Sequence, residues 1–263
     1  MMTVGFLGAG NMGGALARAA AKSDDVRILI ADKDGDKARA VATEIGGVAT
    51  DITDVAEKAD ILFLGMKPHG VGAAIEEIRE SLRDGALIVS MAAAVDIKTV
   101  EKHLCRPMPI IRIMPNTPVA VGEGLILFSP NEKAEAICED FLRIMKHAGD
   151  FERIDEALID AAACISGCGP AFGFMFIDAL AKGGEACGLS RDKARLFAEK
   201  MLRGAAAYAL ASDRTPEELK AAVCSPGGTT IEGVFALENA KFTEAVGGAV
   251  IAAYNKTLIM KAK

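Results

Sequence analysis

Gly8-Ala9-Gly10-Asn11-Met12-Gly13 is the stretch that decides the fold. Before it, Thr3-Val4-Gly5-Phe6-Leu7 is apolar and partly β-branched, the pattern of a buried strand. After it, residues 14–22 are rich in good helix formers. A G-x-G-x-x-G turn is common by chance, but between a strand and a helix it becomes a dinucleotide fingerprint. Gly8 permits the tight turn, Gly10 lets the backbone approach a pyrophosphate, and Gly13 allows helix and strand to pack closely. The N–H groups that open the helix then face the anion, and the helix dipole favours it. The plain alternative is a glycine turn that only packs a strand–helix corner.

Outward from this turn, strands and helices alternate. Val26-Arg27-Ile28-Leu29-Ile30-Ala31 reads as the second strand. It ends at Asp32, about twenty residues after Gly13, where an acidic residue would hold the ribose 2′-hydroxyl of NAD. Lys33 follows at once and would instead suit the 2′-phosphate of NADP. The pair predicts that both cofactors work, with a lean to NADH, although a solvated charge at a strand end fits equally well. Residues 34–45 read as a polar amphipathic helix. Strands are expected at 61–65, 86–90, 110–114 and 124–128, with helices over 71–82 and 96–104 between them. This alternation predicts a doubly wound parallel sheet. Ser129-Pro130-Asn131-Glu132 reads as a capping box that opens a further helix, and residues 150–153 as an edge strand.

From about residue 155 only helices are expected. The helix opened by Pro170 carries Phe172, Phe174, Met175, Phe176, Ile177 and Leu180, is apolar on nearly every side, and is expected to be buried. Thr215-Pro216-Glu217-Glu218 is a second capping box, Gly228 or Thr229 starts a further helix, and residues 242–262 form the last. A half this small and this apolar predicts a module completed by a second subunit.

The chain has 263 residues, 51% of them hydrophobic, and a net charge of −6. That is enough for a sizeable core, and it argues against long disorder and against nucleic acid as a partner. The apolar first twenty residues lack a basic start and are broken by glycine, so no signal peptide is read there. No uninterrupted apolar run of about 18 residues indicates a membrane span. Cys105, Cys138, Cys164, Cys168, Cys187 and Cys224 form no CxxC pair and read as free thiols of a cytoplasmic protein. With three dispersed histidines, no metal site is expected.

Four further stretches carry residues that packing alone does not ask for. Met66-Lys67-Pro68-His69 follows a strand at its carboxyl end, where ligands sit in open α/β sheets. Met114-Pro115-Asn116-Thr117-Pro118 follows another, and its prolines hold Asn116 and Thr117 over the same crevice. Ile165-Ser166-Gly167-Cys168-Gly169-Pro170-Ala171 joins two helices. In Ser225-Pro226-Gly227-Gly228-Thr229-Thr230-Ile231 a turn feeds a helix N-terminus, leaving N–H groups for a small carboxylate, with two hydroxyls beside them. A threonine that merely caps the helix is the simpler reading.

Taken in order, GFLGAGNMG, MKPH, MPNTP, SGCGPAF and CSPGGTTIEG make the chain resemble pyrroline-5-carboxylate reductase over nearly its whole length. The resemblance implies an α/β, Rossmann-like doubly wound domain over residues 1–152 and an all-α dimerisation and substrate domain over 153–263. It implies NADPH or NADH as cofactor, 1-pyrroline-5-carboxylate as substrate, L-proline as product, and homodimers that assemble into decamers. Carried over by motif, Gly8, Ala9, Gly10, Asn11 and Met12 line the cofactor phosphates. Met66, Lys67 and Pro68 flank the cofactor, together with Met91, Ala92 and Ala93. Gly227, Gly228, Thr229 and Thr230 hold the substrate carboxylate. Thr230, as the catalytic residue, also reaches the ring nitrogen. Glu156 matches an acidic position near the substrate. Cys168 and Phe172 replace the usual Ser and Tyr, and Ala94 stands where Gly is usual.

Two rivals remain at this level. A β-hydroxyacid dehydrogenase-like enzyme would place a lysine on the central helix, and Lys182 is available. A nucleotide-sensing protein with a dead site would need no carboxylate-binding turn. The SPGGTT stretch argues against both.

Overall fold

The structure is a computed structural model, and it describes residues 1–261. The first half alternates as expected: β1 (Met2–Leu7), α1 (Asn11–Ala20), β2 (Val26–Ala31), α2 (Gly35–Ile45), β3 (Val48–Ala49), α3 (Ile52–Lys58) and β4 (Ile61–Leu64). It continues with α4 (Val71–Ile78), β5 (Leu87–Ser90), α5 (Ile97–His103), β6 (Ile110–Met114), β7 (Gly124–Pro130), α6 (Cys138–Met145) and β8 (Gly149–Arg153). Six helices follow: α7 (Glu156–Ser166), α8 (Gly169–Ala186), α9 (Arg191–Leu210), α10 (Pro216–Ala222), α11 (Thr229–Asn239) and α12 (Phe242–Lys261). The short β3 and the polar two-turn α3 were not expected; neither carries an apolar period long enough to read.

The eight strands form one sheet in the order β3-β2-β1-β4-β5-β6-β7-β8. The six from β1 to β6 run parallel, so their carboxyl ends share one edge. The sheet is not parallel throughout: β7 runs antiparallel to β6, and β8 parallel to β7. A single 3-10 turn, Thr117–Val121, joins β6 to β7, far too short for a parallel crossover. The capping box at Ser129 also does not form. Ser129 is buried in β7 opposite Arg112, and the cap is supplied by Asn131, which accepts from Ala134 N–H.

Both faces of the sheet are covered, which explains the continuous apolar runs of β4 and β5. On one face Phe6 stacks on Phe63 with ring centroids 4.5 Å apart. On the other, Val55 and Ala59 sit so close that a Cβ at Gly5 would lie 2.5 Å from Val55.

The chain forms two compact units, of which the second is Gly169–Ala252 and the first is everything else described. The change from sheet to helix after 152 is therefore not the boundary between compact bodies. α7 and the tail of α12 lie with the sheet. Arg112, 1% exposed in β6, donates to Asp160 of α7 at 2.5 Å, and the other Asp160 oxygen is 2.5 Å from Lys261. Ser90, Arg112 and Ser129 stand side by side on β5, β6 and β7, a buried polar row beneath that pair.

Within the second unit α8 packs along α9, where Gly184 lets the Ala194 methyl approach. The Thr215–Glu218 capping box forms in full at the start of α10. The expected burial of α8 does not occur inside one chain: only Ala181 is buried, while Phe174 is 61% and Met175 72% exposed. The helical run Glu156–Ala186 is also long and apolar enough to cross a membrane by length and composition, although charged residues and glycines interrupt it.

Candidate active site

The glycine turn follows β1 at the common carboxyl edge, next to β4, where the strand order reverses. Open α/β sheets bind ligands at such a switch point. The three glycines have separate reasons to be there. Gly8 has φ +113°, and a Cβ on it would lie 2.8 Å from the Gly65 carbonyl oxygen. A Cβ on Gly13 would lie 2.2 Å from the Gly8 carbonyl oxygen. A Cβ on Gly10 would meet nothing within 4 Å. Gly8 and Gly13 are thus required by the fold, whereas Gly10 opens onto free space. Gly10 is also the N-cap of α1, with no side-chain cap and no acidic residue in the first turn. The N–H groups at Asn11 and Met12 are left for an anion. This uncapped, open N-terminus fits a dinucleotide pyrophosphate.

Asp32 ends β2 on the same edge. Its Oδ2 accepts from Ala9 N–H at 2.6 Å and its Oδ1 from Asp34 N–H at 2.8 Å. Lys33 is exposed, as is Lys67 after β4, where Pro68 opens a short 3-10 turn. Met66 and Met91 are half-buried, Ala93 is exposed, and Ala92 is buried, leaving only its backbone to face a ligand. Ala94 has φ +61°, the left-handed region, at the position where the resemblance puts glycine. The loop from β5 to α5 is therefore held in a conformation costly for alanine.

Two expected ligands are used elsewhere. Asn116 is 8% exposed; its Nδ2 donates to the Ser166 carbonyl at 2.9 Å and its Oδ1 accepts from Leu125 N–H at 3.0 Å. Its amide ties β6, β7 and α7 together and is not free to meet a cofactor. Glu156 accepts from Ile97 N–H at 2.7 Å and lies 3.6 Å from Arg112. Its carboxylate anchors the start of α5 to α7 through one oxygen and stays partly exposed. Arg112 is the residue the sequence reading missed, and its signal was a lone charge in the apolar strand Ile110-Ile111-Arg112-Ile113-Met114.

The second unit holds the other candidate residues. Gly227 takes φ +68°, and Gly228 is the N-cap of α11. A Cβ on Gly228 would lie 2.5 Å from Ser225 Oγ. No side chain caps this helix, so Thr229 is not the cap. Thr229 and Thr230 are both exposed, in the first turn, and their hydroxyls find no partner among the described residues. Gly228 is not available as a donor, because its N–H bonds the Ser225 carbonyl at 3.0 Å; the N–H groups at Gly227, Thr229 and Thr230, with the two hydroxyls beside them, remain as a donor set for a small carboxylate. Lys182 is not poised for chemistry: it is exposed and pairs with Asp178 one turn away.

The family model described as pyrroline-5-carboxylate reductase dimerisation matches residues 156–260, and one described as NADP oxidoreductase, coenzyme F420-dependent, matches residues 3–94. Pyrroline-5-carboxylate reductase of Escherichia coli is 37% identical over 248 residues, 92% of each chain. The structure of a pyrroline-5-carboxylate reductase from Coxiella burnetii superposes with a TM-score of 0.85 at 32% identity, covering 97% of this chain and 96% of that one. A Plasmodium falciparum pyrroline carboxylate reductase solved with NADP bound gives a TM-score of 0.87 at 28% identity, covering 99% and 98%.

Proposed function

The chain belongs to the pyrroline-5-carboxylate reductase family, and from that premise we propose that it reduces 1-pyrroline-5-carboxylate to L-proline with NADH or NADPH. The cofactor supplies the hydride that adds to the C=N carbon. The residues of this chain bind and orient. The N-terminus of α1 takes the pyrophosphate over Gly10, while Asp32, Lys33, Met66, Lys67, Pro68 and the backbone at Met91, Ala92 and Ala93 border the rest of the cofactor. The N–H groups at Gly227, Thr229 and Thr230 take the substrate carboxylate, while Gly228, whose own N–H is spent on the Ser225 carbonyl, shapes the turn. The Thr230 hydroxyl orients the ring nitrogen. A protonated cyclic imine is already electrophilic, so no strong acid is demanded of the protein, and much of the rate comes from alignment.

The observation that carries the substrate assignment is the start of α11, which has a glycine cap, no capping side chain and two unpartnered threonine hydroxyls. The dimerisation match and the exposed apolar side chains of α8 support a homodimer, and the reading extends to its assembly into decamers. Six cysteines that are all free support a cytoplasmic location. Turnover assays with 1-pyrroline-5-carboxylate and with a panel of 2- and 3-hydroxyacids test the reading. Oxidation of NAD(P)H is expected with the cyclic imine, and no reduction of NAD(P)+ with any hydroxyacid. Turnover of a hydroxyacid, with the imine left untouched, overturns it.

A further inference from the structure

We propose that this chain selects NADH over NADPH and that Asp32 makes the selection; the inference deepens the reductase reading above and rests on it. Both Asp32 oxygens are held by backbone N–H groups, Oδ2 by Ala9 inside the glycine turn and Oδ1 by Asp34 at the start of α2. The carboxylate is thereby fixed at the carboxyl end of β2, beside the turn that takes the pyrophosphate. Each oxygen keeps a second lone pair, which suits the two hydroxyls of an unmodified ribose. A 2′-phosphate would bring a second anion to a carboxylate that is anchored at both oxygens and does not swing aside.

The neighbouring cations do not offset this. Lys37 is 3.2 Å from Asp34, and Arg39 is 2.5 Å from Asp36. Of the three cations at the β2–α2 corner, only the exposed Lys33 lacks a carboxylate partner among the described residues. Recognition of a phosphate by one lysine on a flexible stem, against a fixed carboxylate, is a weak arrangement. The relative solved with NADP bound therefore does not carry its cofactor over to this chain; the local charges decide otherwise.

Equilibrium binding, read from the fluorescence change of the reduced dinucleotide and without any imine present, tests this directly. The wild type should bind NADH about ten- to thirtyfold more tightly than NADPH at low ionic strength. The gap should narrow as salt screens the carboxylate. Asp32→Ser should tighten NADPH and weaken NADH, reversing the order. Asp32→Asn keeps the side chain's shape and an acceptor for one N–H, and should remove most of the discrimination while the melting temperature stays near that of the wild type. Wild-type affinity for NADPH equal to or above that for NADH overturns the inference and leaves the reductase reading standing. Equal weakening of both dinucleotides in both variants overturns it too, since Asp32 would then serve only the turn. Binding of neither dinucleotide overturns both.

Discussion

Gly10 and Gly13 are the same residue in the same motif, three positions apart, and the geometry gives them opposite fates on substitution. Gly13→Ala drives a methyl to 2.2 Å from a carbonyl oxygen, so the fold should lose about 1–3 kcal/mol, seen as a lowered melting temperature. At Gly10 a Cβ meets nothing within 4 Å, so Gly10→Val starts into open space. It should melt near the wild type yet lose about ten- to a hundredfold in cofactor affinity, because its branched side chain takes the anion's space. Unchanged affinity would remove the anion from this turn. The two threonines divide in a similar way. Thr230→Ala should cost about two- to a hundred-and-fiftyfold in kcat/KM, the loss of one hydrogen bond to a group whose charge changes during reaction. Thr229→Ala should cost less, and steady-state kinetics beside melting curves compares them; a larger loss at Thr229 means the roles are reversed. The turns that carry these residues were legible because their glycines and helix starts are set by local sequence. The structural tasks of Asn116 and Glu156 were not legible, because their partners, the Ser166 carbonyl and the Ile97 N–H, are remote in sequence.

At the level of elements, two capping boxes looked alike in the sequence, and one formed. Thr215 sits before a free helix and makes both reciprocal bonds with Glu218. Ser129 sits in a strand whose ladder partner is already Arg112, and strand pairing outweighs the cap. The same remote partnering hid the reversal of β7. A third cap needed no box: Asp96 accepts from Thr99 N–H at 2.8 Å and starts α5. That hydrogen bonding to Thr99 holds the Asp96 carboxyl below its usual range, against a smaller opposing effect of burial, with Arg112 and Lys261 adding to the lowering. A depressed folded value stabilises above the ordinary carboxylate pKa, and the contribution is lost as pH falls through the folded value. Asp96→Ala should therefore cost about 1 kcal/mol near neutrality. The difference from wild type should shrink below about pH 4, followed by melting temperature against pH. A difference that stays constant to pH 3 would show that the charge on Asp96 does not contribute.

The whole molecule leaves a large apolar area uncovered on the helical unit. Phe174, Met175, Phe197, Met201, Tyr208 and Phe235 are all about half exposed or more, well beyond the scattered apolar residues of an ordinary surface. Light scattering at low micromolar concentration should find a dimer or a multiple of it. Met175→Lys, which places a charge on the most open part of α8, should shift that equilibrium toward monomer and lower activity with it. A stable, fully active monomer would refute the obligate role of this face.

The sheet unit is assembled from two stretches of chain that translation separates. Asp160 and Cys164 of α7 emerge early, but Lys261 and Thr257 of α12, which sit against them, emerge only after the whole helical unit has been made. At about 5–20 residues per second that delay is on the order of ten seconds. During it the β6–α7 side of the nascent protein carries an acidic group without its lysine and an apolar surface without its cover. A fragment ending near Cys168 would remain permanently in that unfinished condition.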